Sequence, residues 1–201
     1  MYKIYIKRIF DILFSLLLIV LFIPILLIIT ILVFLKSNPT TRGPLIFSQK
    51  RVGLRNQPFT IYKLRTIYKK KVFMKDKSYI ENSERIPLGQ FMRRFKFDEI
   101  PQLINVLKGD MSIIGPRPFV PSISDKYKMH ETKRYTLRPG LSGLAQINGN
   151  DFLSWEQKLY YDDKYVENIS FFLDIKIIFI TIVAIFYGEK EMLKRRIKKN
   201  F

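Results

Sequence analysis

Cysteine is absent from the 201 residues of the chain, and His130 is its only histidine. Without thiols the chain cannot form disulfides, thiol nucleophiles or iron–sulfur clusters. One histidine is too few for a structural zinc site or for a catalytic site built on two imidazoles. Any metal that the protein uses must therefore be a hard cation bound by oxygen ligands.

The chain is also poor in acidic residues, because 17 Asp and Glu stand against 35 Lys and Arg and leave a net charge of +18 at pH 7. The expected partner is therefore anionic: a nucleic acid, a lipid head group or a phosphate-bearing substrate. None of the nine glycines stands two or five positions from another, which excludes the GxGxxG fingerprint and the Walker A loop. The length suits a single domain.

Charge is missing altogether from Ile12 to Leu35. As a straight helix this run would be about 36 Å long, enough to cross a bilayer core of about 30 Å. Pro24 lies near its middle, where it removes a helical hydrogen bond and favours a bend. We therefore predict a segment that enters the membrane, bends at Pro24 and returns as a re-entrant hairpin. A kinked spanning helix is the alternative.

Basic residues flank both ends of the apolar run, at Lys3, Lys7 and Arg8 before it and at Lys36 and Arg42 after it. The positive-inside rule therefore favours neither orientation, and we expect both ends on the cytoplasmic side. Asp11 stands at the boundary of the run. It is either an interfacial charge paired with Lys7 or Arg8 at helical spacing or an acid with a role of its own.

The rest of the chain predicts short, mixed elements. Alternation predicts a β-hairpin over residues 45–52 and 59–66, with Lys63 and Arg65 on one face. Helical spacing predicts helices over residues 83–94, 100–107, 124–135 and 155–166, with Asp98 capping the second helix and Gly109 ending it. GPRPFVP, residues 115–121, is expected to be an extended loop. The apolar segment 171–187 has too short an uncharged run to span a membrane, so we expect it to pack or to lie at the interface.

The predicted fold class is mixed α/β, dominated by helices, with a small β-hairpin and surrounding amphipathic helices on a monotopic membrane protein. We divide the chain into a membrane anchor at residues 1–36, a cytoplasmic catalytic domain at 37–187 and a basic tail at 188–201. The lysine-rich run at residues 69–77 is predicted either to rest on anionic lipid or to be a solvated loop. The basic tail suits a lipid surface or disorder.

The strongest local candidate for chemistry is RRFKFDEIPQL, in which Asp98 and Glu99 stand at a predicted helix start after Arg93, Arg94 and Lys96. The helix dipole and these cations favour ionised carboxylates, so Asp98 is predicted to be charged at neutral pH and able to bind Mg²⁺ or attack phosphorus. Acidic pairs at helix starts are more often simple caps, and the motif alone does not separate the two interpretations.

Several cations stand on rigid segments elsewhere in the chain. Arg117 lies between Pro116 and Pro118, whose fixed φ angles would hold its guanidinium ready for a bidentate grip on phosphate. Arg138 precedes Pro139-Gly140 and has the same character. A plain surface turn is the alternative for both. An acidic pair, positioned cations and an apolar anchor together predict phosphoryl chemistry at a membrane surface.

With these motifs in place, the chain resembles the bacterial sugar transferase family, the small monotopic phosphoglycosyl transferases. The resemblance runs in order from about Lys7 to Thr181 and rests on KRIFD, the Pro-bent apolar segment, FSQKRVG, YKLRT, FDEIPQLINVLKGDMSIIGPRPF, RPGLSGLAQINGN and YVENISFFLDIKIIFIT. Departures from the usual family pattern stand at Ile23, Ile67, Lys96-Phe97, Leu144 and Asn150. Larger relatives carry further membrane helices, so the resemblance implies the minimal form.

The resemblance implies transfer of a sugar-1-phosphate from a UDP-sugar to a polyprenol phosphate, undecaprenyl phosphate, with release of UMP at the cytoplasmic face of the bacterial inner membrane. Asp98 would be the nucleophile that carries the phosphosugar, and Glu99 would support a Mg²⁺ site with it. Lys63, Arg94 and Arg117 would hold phosphate oxygens, with Arg138 as a further candidate. The reaction would be the first membrane step of a glycan pathway, such as polysaccharide or lipopolysaccharide assembly or protein glycosylation.

Two other classes remain open at this point. An inactive relative could serve as a scaffold in a glycan assembly complex. A membrane-tethered nucleic-acid-binding protein would also explain the net charge, but no nucleic-acid module is present and we expect no nucleic-acid partner. The sequence carries no signal for an oligomeric state or for a particular sugar.

Overall fold

The computed structural model describes residues 2–36, 44–68, 85–126 and 132–188, and these form a helix-dominated α/β fold. The lysine-rich run at residues 69–77 and the basic tail beyond Gly188 lie outside the described residues. The helices are α1 (Lys7–Lys36), α2 (Gly89–Arg94), α3 (Leu103–Lys108), α4 (Pro121–Lys126), α5 (Leu144–Ile147), α6 (Trp155–Asn168) and α7 (Phe171–Tyr187). The strands are β1 (Ile46–Val52), β2 (Pro58–Leu64), β3 (Ser112–Ile114) and β4 (Gly140–Ser142).

Helix α1 is one continuous element that runs through Pro24. Among the described residues, its stretch Lys7–Leu35 is the one helix long and apolar enough to cross a membrane. Because the two predicted arms are not separate elements, the re-entrant topology stays a prediction.

Both ends of α1 contact the rest of the protein. Near its start, Lys7 forms a 2.6 Å ion pair with Asp174 of α7, and the carboxylate of Asp11 accepts hydrogen bonds from the Ser112 hydroxyl and the Ile113 amide of β3. Near its end, Ile29 and Val33 are buried in a cluster with Ile86 and Met92. The helix therefore lies along the protein instead of leaving it at one end.

The predicted β-hairpin is confirmed within two residues at each boundary. Strands β1 and β2 pair antiparallel, from Ile46 opposite Leu64 to Val52 opposite Pro58. Arg55 and Asn56 in the connecting loop have φ values of 54° and 60°, the left-handed conformation that closes short loops. Pro58 is at the start of its strand, where its missing N–H is tolerated.

A second, parallel strand pair was not predicted. Ser112 of β3 pairs with Gly140 of β4, and Ile114 pairs with Ser142. A Cβ atom on Gly140 would collide with the backbone nitrogen of Gly115, so the two segments approach each other closely only because both residues are glycine. This pair places the GPRP segment, which follows β3, against the turn after β4.

Two helix predictions need correction. Within the described residues 85–94, the helix predicted over 83–94 begins at Gly89, because Ile86 bonds to Thr66 in an irregular segment and Leu88 is left-handed, with φ 62°. The helix predicted over 124–135 begins earlier, as α4 at Pro121–Lys126, and a separate 3-10 turn follows at Lys133–Thr136. The residues between 127 and 131 lie outside the described part of the chain.

The helix predicted over residues 155–166 is confirmed, and the apolar segment 171–187 is also a helix. Helix α6 begins after Ser154, whose side chain forms a capping box with Gln157, the expected signature of a helix start. Helix α7 spans 171–187, and its Ile177 is fully buried while Phe172 and Phe179 are 84% and 68% exposed. The segment predicted to pack or to lie at the interface is therefore a packed helix that also presents an apolar face to its surroundings. The core between these helices contains Ile61, Leu103, Val106, Met111, Ile114, Tyr165 and Ile177.

Candidate active site

The acidic pair lies in a 3-10 helix, Phe97–Gln102, between α2 and α3. Lys96 precedes it in the left-handed region, with φ 59°, an uncommon conformation for a residue with a side chain. Phe97 packs on Phe91 of α2 and edge-to-face on Phe22 of α1, at centroid distances of 5.7 and 6.0 Å. These contacts fix the acidic pair beside the apolar helix.

The predicted capping role of Asp98 is wrong. Asp98 lies inside the 3-10 helix, the position before that helix is occupied by Lys96, and Gln102 precedes α3. Neither boundary residue makes a side-chain capping bond. The predicted end of α3 at Gly109 is confirmed, with φ 94° at that residue. The carboxylate of Asp98 is thus not used to complete a helix.

Glu99 is held by two cations on one oxygen. Lys63 Nζ lies 2.7 Å and Arg117 Nη2 lies 3.2 Å from Glu99 Oε1. Burial alone would raise the pKa of Glu99, but Arg117 and Lys63 outweigh it and hold this pKa well below its usual range. Glu99 is therefore ionised at neutral pH, and it orients both cations in one place.

Asp98 has a different environment from its neighbour. The residue is 9% exposed, and its Oδ1 atom is buried with no hydrogen-bond partner among the described residues. Burial and the negative charge of Glu99 raise the pKa of Asp98, while Lys63 and Arg93 lower it in part. Tertiary burial thus outweighs the neighbouring cations in the direction of the shift, and the charged state of Asp98 at neutral pH stays a prediction. An unpaired buried carboxylate oxygen is costly in a folded protein and commonly indicates a functional role.

Lys63 reaches Glu99 from strand β2. The Asn105 side chain joins α3 to β2, since it accepts a hydrogen bond from the Tyr62 amide and donates one to the Thr60 carbonyl. Burial lowers the pKa of Lys63, and the nearby charge of Glu99 raises it in part. Lys63 therefore lies at the acidic pair, and its predicted binding of phosphate stays a prediction. Arg65 lies just beyond β2 and is buried.

Arg117 is carried by a loop that two further arginines fix in place. Arg134 donates to the Arg117 carbonyl, and its guanidinium lies 3.7 Å from the ring centre of Phe119. Arg51 donates to the Pro118 carbonyl at 3.1 Å. Burial and the charge of Arg117 lower the pKa of Arg51 to about 10. Arg51 and Arg134 were not predicted as site residues from the sequence, although Arg51 stands in the FSQKRVG motif.

A buried ion pair supports this loop from behind. Arg134 Nη1 lies 3.1 Å from Asp162 Oδ2, and both side chains are almost fully buried. Burial raises the pKa of Asp162 to about 6, although the charge of Arg134 lowers it in part. Helix α6, which carries Asp162, is thereby connected to the loop of Arg117.

Two predicted phosphate-binding residues have other partners. The Arg94 guanidinium donates to the Phe186 carbonyl near the end of α7 at 3.0 Å. Arg138 Nε donates to the Gly109 carbonyl at the end of α3 at 2.7 Å. Both arginines therefore stabilise helix ends, as cations near a C-terminus do, and their binding of phosphate stays a prediction. The charges that act on Asp98 are instead those of Glu99, Lys63, Arg93 and Lys96.

A divalent cation would find few protein ligands here. Within the described ranges no group of three or more His, Cys, Asp or Glu residues could hold a metal ion. Mg²⁺ is usually bound by one or two carboxylates together with substrate phosphates and water. The unpartnered Oδ1 of Asp98 and the adjacent Glu99 fit that pattern, so the donor set suits a Mg²⁺ that arrives with a phosphate-bearing substrate.

The fold and site define a small α/β protein in which a buried carboxylate stands beside paired cations and a long apolar helix. Residues 2–188 match the family model described as Bacterial sugar transferase. The chain belongs to the bacterial sugar transferase family.

Curated relatives agree with this assignment. The chain is 40% identical to an uncharacterized sugar transferase, EpsL, of Bacillus subtilis, over 73% of this chain and 72% of the relative. It is 38% identical to a Klebsiella pneumoniae UDP-glucose:undecaprenyl-phosphate glucose-1-phosphate transferase, over 88% of this chain and 39% of that one. It is 37% identical to an Aeromonas hydrophila UDP-N-acetylgalactosamine-undecaprenyl-phosphate N-acetylgalactosaminephosphotransferase, over 92% and 44%. The chain thus spans less than half the length of the last two relatives.

Proposed function

We propose that the protein is a phosphoglycosyl transferase that moves a sugar-1-phosphate from a UDP-sugar to undecaprenyl phosphate and releases UMP. The names of the Klebsiella and Aeromonas relatives support this donor and acceptor. The observation that carries the proposal is the buried, unpartnered Oδ1 atom of Asp98 next to a glutamate that holds two cations.

The reaction proceeds in two displacements at one phosphorus. In the first, a carboxylate oxygen of Asp98 attacks the phosphorus that bears the sugar, and the bond to the oxygen bridging the two phosphates breaks. The electron pair of that bond leaves with UMP. In the second, a phosphate oxygen of undecaprenyl phosphate attacks the same phosphorus, the acyl phosphate bond breaks, and the carboxylate of Asp98 is restored.

Lys63 and Arg117 stabilise the charge that this transfer moves. Each donates to Glu99 Oε1, so two positive charges share one negative charge and a net positive field remains for phosphate oxygens. Preorganised cations of this kind stabilise a transferring phosphoryl group without rearrangement during the reaction. Glu99 acts as a positioning residue, because it fixes the cations.

A bound Mg²⁺ would neutralise diphosphate charge and assist departure of UMP. Asp98 and Glu99 are the residues that would hold it. The remaining ligands would be phosphate oxygens and water, in keeping with the usual coordination of this ion.

The acceptor is a lipid, and the protein exposes apolar side chains on α1, whose Phe22 contacts Phe97, and on α7. Helix α1 exposes Leu17, Val20 and Leu21, and α7 exposes Phe172, Phe179 and Phe186. Residues 7 and 33 are about 39 Å apart along the helix axis, and both contact the protein body. If α1 crossed the bilayer upright, the polar protein body that contacts both of its ends would have to lie within the lipid. We propose that α1 is a re-entrant, monotopic anchor whose two ends lie on the same, cytoplasmic side of the membrane, with Asp98 at that face.

The test is turnover by the full-length protein in detergent. With Mg²⁺ and a panel of UDP-sugars, UMP release should continue only when undecaprenyl phosphate is supplied. Asp98→Asn should abolish release, and Asp125→Asn, at an exposed carboxylate of α4, is the matched control. Mass spectrometry of enzyme incubated with donor alone should find the phosphosugar on residue 98. Normal turnover by Asp98→Asn would refute the nucleophile assignment, and failure of the wild type on every donor would favour the scaffold alternative.

A further inference from the structure

A cavity of about 130 Å³ lies between the GPRP segment and helix α6. Its wall includes Arg51, Arg117, Gln146, Asn150, Trp155 and Lys158. Arg117 belongs to this wall and also contacts Glu99. A substrate whose phosphates lie at Arg117 therefore has one end at the acidic pair and the other at the cavity.

The cavity wall contains an unexplained amide. Both the oxygen and the nitrogen of the Gln146 side chain are buried and have no hydrogen-bond partner among the described residues. A primary amide offers one acceptor and one donor side by side. Leaving both unpaired is costly, and native proteins rarely do so without a reason. A ligand group that presents a donor next to an acceptor would satisfy both.

The size and the aromatic wall restrict what that ligand group is. The cavity has room for one planar ring but not for a whole nucleotide. Trp155 forms an aromatic part of the wall, and its ring packs edge-to-face on Phe119 at 5.1 Å. Aromatic walls with a few placed polar groups are typical of sites for flat heterocycles. The imide edge of uracil has an N–H beside a carbonyl. It therefore supplies both the donor and the acceptor that the Gln146 amide needs as partners.

We propose that this cavity is the nucleoside subsite, in which a rotation of Gln146 into the cavity pairs its amide with the imide edge of uracil beside Trp155. The inference rests on the proposed function and adds the residue that recognises the base. During the first displacement the uracil of the leaving UMP would remain in the cavity while its phosphate lies outside the cavity at Arg117, which contacts both the cavity and Glu99. Arg51 and Lys158 provide positive charge for the phosphate of that UMP.

The test measures UMP affinity by calorimetry on the full-length protein in detergent. The variant is Gln146→Leu, and the matched control is Gln90→Leu, at an exposed position of α2. Each protein is titrated with UMP and with 3-methyl-UMP, in which a methyl group replaces the imide proton. Wild type and Gln90→Leu should bind 3-methyl-UMP about tenfold more weakly than UMP, the size expected for a lost hydrogen bond. Gln146→Leu should bind UMP about tenfold more weakly than wild type does and should not distinguish the two nucleotides.

The chain has a single tryptophan, so its fluorescence reports on the cavity alone. UMP should change the fluorescence of Trp155 in the wild type. Equal methyl penalties in the wild type and Gln146→Leu, or UMP binding without a fluorescence change, would overturn the subsite. So would a loss of glucose-1-phosphate affinity, in place of UMP affinity, in Gln146→Leu. If UDP-sugars are turned over in any of these cases, the proposed function survives. If wild type neither binds UMP nor turns over any UDP-sugar, both fall.

Discussion

Lys63 Nζ donates to Glu99 Oε1 across 2.7 Å, although the two residues are 36 positions apart in the chain. The bond connects strand β2 to the 3-10 helix that carries Asp98. Both side chains are mostly buried, at 18% and 15% exposure, so the contact is protected from solvent screening. This contact therefore makes the β1–β2 hairpin a part of the active site.

Removal of the negative charge in this contact should damage the site. Glu99→Gln leaves Lys63 and Arg117 without their counter-charge, and breaking a buried ion pair costs about 3 kcal/mol. We expect a lower thermal unfolding midpoint and at least a hundredfold slower UMP release. Glu167→Gln is the control, because its pair with Lys133 is exposed and should change neither quantity. A wild-type rate of UMP release from Glu99→Gln would show that Lys63 and Arg117 do not need the charge of Glu99 to hold them in place.

The pH dependence of activity follows from the environments of the two acids. Only ionised Asp98 is a nucleophile, so kcat/KM should fall as the pH drops through the raised pKa of Asp98. This acid limb should lie above the ordinary aspartate value of 3.8. Glu99, whose pKa is depressed, stays ionised across that limb and adds no second loss.

The position of the acid limb can be moved by one exposed charge. Arg93 lowers the pKa of Asp98, so Arg93→Met should move the limb to higher pH. Arg94→Met is the matched comparison, because Arg94 binds the Phe186 carbonyl and should leave the limb in place. A shift with Arg94→Met and none with Arg93→Met would contradict the electrostatic assignment.

The start of α1 should contribute strongly to stability. Lys7 and Asp174 form a buried pair, and Asp174 also accepts hydrogen bonds from Tyr2 and Tyr165. Lys7→Met leaves a buried carboxylate without its cation and should cost about 3 kcal/mol of unfolding free energy. Thermal unfolding in detergent measures this, with Lys133→Met at an exposed pair as the control. Equal midpoints for the two variants would refute the prediction.

The proposed monotopic anchor has a direct labelling test. The chain lacks cysteine, so Lys3→Cys and Thr40→Cys each introduce a single thiol, one on either side of α1. Asp125→Cys, on the protein body, marks the cytoplasmic side. We expect all three thiols to react with a membrane-impermeant reagent only from the side of the body. Protection of one α1 flank with labelling from the opposite face would replace the re-entrant anchor by a spanning helix.

Local sequence signals predicted the elements that local interactions determine. The alternation in the hairpin and Gly109 at the end of α3 each act over a few residues. The parallel pair β3–β4 was not predicted, because strands of three residues contain too few positions to show a period. Its partners are 28 positions apart, from Ser112 to Gly140, and only the folded chain brings them together.

The candidate site was likewise predicted only in part from the sequence. The residue types at Asp98, Glu99, Lys63 and Arg117 were enough to predict phosphate chemistry, and the structure brings Lys63 and Arg117 onto Glu99. The sign of the Asp98 pKa shift depends on burial, which neighbouring sequence does not report. Arg134 acts on Arg117 through a backbone carbonyl, and a contact of that kind leaves no side-chain pattern to detect.

Helix α1 is part of the interior of the protein as well as its apolar surface. Ile29 and Val33 fill the cluster around Met92, and Phe14, Leu18 and Ile19 pack on the core of α3, β3 and α7. A shortened chain that starts after residue 36, made to avoid detergent, would expose both clusters to water. It would also leave the buried carboxylate of Asp174 without Lys7. Such a fragment should collect in inclusion bodies, so enzymology on this protein calls for lipid discs or micelles from the first purification step.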